Sequence, residues 1–130
     1  MTLLELTVVI LVLLSLISIL FIGARAWKKG SDRAASILQI RNVQQAVRSY
    51  ANMNTANPGD TVTGLSDELF GKGKFIEVNP TTKTHPAGST YSFAIATPTV
   101  IPQIGALYMN TTGGTDAADF NPKTGTYDDW

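Results

Sequence analysis

Nineteen consecutive residues, 6–24, carry no formal charge, and an ionisable carboxylate, Glu5, stands at their mouth. As a helix they cover about 30 Å, the thickness of a bilayer's hydrocarbon core. The run is apolar on every side, so it needs either lipid or a fully buried packing environment. Nothing basic precedes it, and it is too long for the apolar stretch of a secretory signal. The chain therefore reads as a mature product whose leader has been removed.

From residue 1 to about residue 53 the pattern is one continuous helix, without proline and with Gly23 and Gly30 as its weak points. In "SDRAASILQIRNVQQAVRSYANMN" the apolar Ile37, Ile40, Val43, Val47 and Tyr50 recur at three- and four-residue spacing, with Arg41, Gln44, Gln45 and Arg48 off that stripe. This half should lay one face on a small domain. Pro58 and Gly59 end the helix. In the Thr-, Gly- and Pro-rich remainder a short helix is expected at "SDELFG", with Ser66 as cap, Asp67 and Glu68 in its first turn and Gly71 as stop. Strands are expected at "KFIEV", at "TYSFAIA" with Tyr91, Phe93 and Ile95 on one face, and at "GALYMN". "NPTTKTHPAGS", "TPTVIPQI" and "NTTGGTD" read as loops. So small a sheet buries too little alone, and the half-helix must complete its core. The expected class is α+β, in three segments: an apolar transmembrane or filament-core helix (1–24), an amphipathic helix half (25–53) and a small globular domain with an antiparallel β-sheet (54–130).

The formal charges cancel over the whole chain but not locally. Residues 1–53 hold six basic residues against two acidic, net +4, and the remainder four against eight, net −4. A nucleic-acid binder would spread basic surface over its folded domain, so no specific nucleic-acid site is expected. The cluster Arg25, Lys28 and Lys29 reads as a headgroup-contacting flank, or as a contact for acidic residues of a neighbouring copy. There is no cysteine, hence no disulfide, thiolate nucleophile or cysteine metal site. His85, the single histidine, lies in "THPAGS" and reads as a solvated loop residue, insufficient for a metal. Asp116, Asp119, Asp128 and Asp129 crowd the last fifteen residues without the alternating oxygens of a calcium loop, and read as a solvated acidic tail. Asn110-Thr111-Thr112 fits a glycosylation acceptor pattern. The aromatic residues serve core and interface packing. No Ser or Thr shares a motif with a histidine base, and "GKGKF" lacks the strand–helix context of a phosphate loop. Neither catalysis nor a metal or cofactor is expected.

Glu5 is left to explain. A carboxylate at the hydrocarbon edge costs ~2.5–3.5 kcal/mol on insertion scales. Within its own helix the nearest basic residue is Arg25, about 30 Å away along the axis. A second copy shifted along a common axis could present its Met1 amine, which would make Glu5 a register device for self-assembly.

"MTLLEL" followed by "TVVILVLLSLISILF" closely resembles the mature amino terminus of type IV pilins and of the related type II secretion pseudopilins, over about the first fifty residues. The resemblance implies a leader cut by a prepilin peptidase, N-methylation of Met1, and a Glu5 that neutralises a neighbour's amine. It also implies a filament core packed through Leu6, Val9, Ile10, Leu13, Leu14, Ile17, Leu20 and Phe21. The chain departs from the family at Leu14 and Ile22, where many members have Gly and Pro, so helix flexibility falls to Ser15, Ser18 and Gly23. It also lacks the disulfide-closed loop common there. The basic cluster would by itself draw its end of the helix to the cytoplasmic side; the opposite orientation, globular part outside, rests on the resemblance. The expected function is a non-enzymatic structural subunit. It is held in the inner membrane, then polymerised by assembly machinery into a homo-oligomeric surface filament of the pilus type, a class that serves adhesion, motility, DNA uptake or secretion. The alternatives are a pseudopilin or minor pilin, and a monomeric membrane-anchored binding domain, which leaves Glu5 unexplained.

Overall fold

The structure is a computed structural model that describes residues 2–85 and 87–130. It is α+β: helix α1, Leu3–Met53, is followed by a two-stranded antiparallel sheet, β1 (Thr90–Phe93) and β2 (Met109–Thr112), in the register Thr90↔Thr112 to Phe93↔Met109. Two compact units divide the chain, one up to Ser31 and one of Asp32–Trp130. In the first, α1 is exposed throughout the described residues.

In the second unit α1 buries Ser36, Ile40, Val43, Gln44, Val47 and Ala51, which recur every three or four residues. Ile40, Val43 and Val47 pack with Leu65, Leu69, Ile101, Tyr108 and Met109. Ile37 and Tyr50 are only half-buried, and Gln44, expected off the stripe, lies in it. Helix α2 is Leu65–Leu69. Gly64 caps it in the left-handed region at φ 73°, which glycine adopts without strain, whereas Ser66, the expected cap, sits inside the helix.

The three expected strands reduce to two. "KFIEV" turns only Ile76 inward and leaves Phe75 and Val78 exposed, so it lacks a buried alternating face. It makes one parallel bridge, Phe70↔Ile76. In "GALYMN" the strand starts late because a side chain occupies the preceding backbone. The Gln44 amide donates from Nε2 to Ala106 O at 2.9 Å and accepts from Tyr108 N at 2.9 Å. β1 ends at Phe93, although Ala94 N still donates to Tyr108 O at 2.9 Å. Two 3-10 turns are present: Pro80–Thr82, on ground expected to be loop and capped by Asn79 Oδ1 accepting from Thr81 N at 3.0 Å, and Ala117–Phe120, in the segment read as an acidic tail. The glycosylation acceptor pattern falls within β2, not in a loop, with Thr111 buried.

Candidate assembly surface

In the first unit residues 6–24 present an exposed, mostly apolar helical surface, followed by the basic Arg25, Lys28 and Lys29. All eight expected packing residues, from Leu6 to Phe21, are exposed. α1 is long and apolar enough to cross a membrane, and its apolar part is nowhere buried within the described residues. The hydroxyls inside the run are internally satisfied: Thr7, Ser15 and Ser18 donate to the carbonyls of Leu3, Leu11 and Leu14 at 2.8, 2.9 and 2.9 Å. Such back-bonding removes the cost of a bare polar group in hydrocarbon, and α1 runs unbroken through Ser15 and Ser18. Gly23 has open space where a Cβ would sit, so packing within the chain does not require glycine there.

Met1, expected to carry the amine and the methyl group, lies outside the described residues. Glu5 has a partner that sequence reasoning passed over. Its Oε2 accepts from Thr2 N at 3.5 Å, and Thr2 Oγ1 accepts from Glu5 N at 3.3 Å. With α1 starting at Leu3, Thr2 is the cap residue and Glu5 the third helical position, the reciprocal arrangement of a capping box. Both bonds are long, and the carboxylate also meets the positive end of the helix dipole. The "T-x-x-E" spacing was the available signal. The box engages one Glu5 oxygen and leaves the carboxylate exposed.

In the second unit polar side chains tie distant backbone segments to α1. Arg48 donates from Nη1 to Pro102 O at 2.6 Å and from Nη2 to Gln103 O and Trp130 O, each at 2.9 Å, tying the last residues to α1. Burial lowers the pKa of this guanidinium, and its Nε is buried without a partner among the described residues. The Arg41 guanidinium lies 5.3 Å from the Trp130 ring centre. Burial pushes the Tyr108 hydroxyl, which donates to Pro98 O at 2.6 Å, up to about 12.

His85 is the clearest correction to the sequence reading: it is not solvated but 1 % exposed. Its ring lies 4.9 Å from that of Tyr91 and 5.0 Å from that of Phe120. Nδ1 accepts from Ala87 N at 3.1 Å, which assigns the proton to Nε2, and Nε2 is buried without a partner among the described residues. Desolvation lowers the His85 pKa, opposed by the charge of Asp32. Asp116, Asp119, Asp128 and Asp129 are exposed, and no group of three or more His, Cys, Asp or Glu among the described residues could share a metal ion.

A long apolar amino-terminal helix with a small antiparallel sheet is compatible with a pilin-like fold. A scan against family models, a search of curated proteins and a search of solved structures each returned no match to this chain.

Proposed function

We propose that this chain is a structural, non-catalytic subunit that is held in a membrane by residues 1–24 and then polymerises through the same helix into a filament of the type IV pilus class. The observation that carries the reading is the exposed apolar surface of α1 over residues 6–24, continuous in one helix with a half that builds a domain core. About 25 cal/mol is lost for every Å² of apolar surface left in water, so such a helix is covered by lipid or by copies of itself. Head-to-tail contacts between copies that do not close give an open helix, which is a filament. Glu5 of an incoming copy would pair with the Met1 amine of one already in place, and assembly machinery would draw the chain from the inner membrane to the cell surface. The pseudopilin and minor-pilin versions share this mechanism and differ in filament length and abundance.

The capping box favours a second reading, a monomeric anchored domain, because it gives Glu5 a use within its own chain. Electron microscopy of material sheared from cells, with mass spectrometry of the main filament band, separates them. Long thin fibres composed mostly of this chain, beginning at a methylated Met1, are expected; chain confined to the membrane fraction, with no fibres at raised expression, would sink the proposal.

A further inference from the structure

Residues 25–29 follow the uncharged run in the same helix and carry Arg25, Trp27, Lys28 and Lys29. At 3.6 residues per turn the three cations share one arc of about 100°, and Trp27 projects from the other side. Arg25 and Lys28 are exposed, and Trp27 is 78 % exposed. Nineteen apolar residues span about 28 Å of helix, so with residue 6 at one edge of a bilayer core, residues 25–29 emerge at the headgroups of the other. At that depth an indole sits with its apolar body against the acyl boundary and its N–H in the wet layer. Arg and Lys stems lie along the same boundary while their charged heads reach phosphates.

From this placement we infer that residues 25–29 form a collar that binds anionic phospholipid headgroups on the leaflet at the carboxy-terminal end of the span. Arg25 and Lys28 contact the phosphates and Trp27 fixes the depth. Lys29 makes an interaction of its own, so the lipid contact is assigned to the other two cations. The inference rests on the membrane-held stage of the function proposed above. In the orientation that the pilin resemblance implies, with the globular part outside, cations stand on the side where basic residues are ordinarily scarce, and anionic headgroups supply the opposing charge. Charge favours an anionic over a zwitterionic lipid, because a basic residue near a negative membrane surface gains roughly fivefold in partitioning while a neutral surface offers no such field.

The test uses the full chain carrying Trp130→Phe, which leaves Trp27 as the one indole of two. Trp27 fluorescence is read in vesicles containing either brominated phosphatidylglycerol or brominated phosphatidylcholine at equal mole fraction. The anionic quencher is expected to act at a mole fraction about fivefold lower or better, with the preference falling to near one in Arg25→Gln/Lys28→Gln and in 1 M salt, where the screening length is about 3 Å. Equal quenching by both lipids in the parent would overturn the collar while leaving the span in the bilayer. A double variant that kept the preference would overturn the assignment to Arg25 and Lys28. Trp27 shielding that grew with protein density, without lipid preference, would give the cations to the acidic surface of a second copy instead. Quenching by neither lipid would remove the membrane stage as well.

Discussion

At the scale of single residues, three polar side chains of the second unit stand in for missing secondary structure or solvent. His85 is held neutral between two rings, and protonating it would place a second donor opposite Ala87 N–H. Its folded pKa is lowered by desolvation, so below the ordinary value of about 6.5 the unfolded chain binds the proton first. This contribution to stability is therefore intact above pH 6.5 and falls as pH drops through 6.5 toward the lower folded value, at no more than about 1.4 kcal/mol per pH unit. Urea denaturation in detergent between pH 7.5 and 5 should show the fall in the parent and a flatter profile in His85→Phe; parallel profiles would remove the histidine from the account. Arg48→Lys should cost about 1.5–3 kcal/mol by the same assay, because a single ammonium cannot reproduce a planar fork to three carbonyls. Neither role was legible in the sequence. A histidine between Thr and Pro in a Gly-bearing loop carries every local mark of solvent exposure, and the two rings that bury it come from positions 91 and 120. Gln44 was misplaced for the same reason: its amide matches the backbone of 106 and 108, more than sixty residues away.

Elements were legible in proportion to how local their causes are. The run of α1 follows from an unbroken helical pattern, but it ends at Met53, ahead of the expected Pro58-Gly59 stop, where Thr55 turns into the left-handed region at φ 53° and Ala56 N donates to Ala51 O at 2.9 Å; α2 follows from a short acidic first turn. The strands were half legible, because their ends are set by side-chain amides from distant residues. Asn121 does at the outer edge of β2 what Gln44 does before its start. Its Oδ1 accepts from Thr111 N at 2.6 Å, and its Nδ2 donates to Thr111 O at 3.0 Å and to Ala117 O at 3.2 Å. The amide thus occupies backbone groups that would otherwise pair with another chain, a way of blunting a sheet edge. Asn121→Ala should speed amide hydrogen exchange at Thr111 by about tenfold or more and raise concentration-dependent aggregation of the purified protein. Unchanged exchange at Thr111 would show that the edge is protected by something other than this amide.

For the whole molecule, the question posed by Glu5 becomes separable because the use seen in the structure and the use proposed for assembly are chemically distinct. One is the capping box with Thr2, which needs an acceptor at position 5 and a hydroxyl at position 2. The other is the proposed pairing with a neighbour's amine, which needs a negative charge at position 5 and nothing of Thr2. Glu5→Ala removes both and cannot tell them apart. Glu5→Gln keeps an acceptor able to complete the box while deleting the charge, and Thr2→Ala deletes the box while keeping the carboxylate. Losing the box costs about 1 kcal/mol of helix-end stability, small beside the apolar area of α1 that any assembly or membrane must cover. An amine–carboxylate pair in a low-dielectric core contributes more, since leaving one partner buried and unpaired costs about 3–5 kcal/mol. Filament yield in the sheared fraction should therefore stay near the parent level in Thr2→Ala and fall by tenfold or more in Glu5→Gln, with both proteins still entering the membrane. The reverse ordering, full assembly with Gln and loss with the Thr2 variant, would make Glu5 a helix cap and return the chain to the anchored-domain reading.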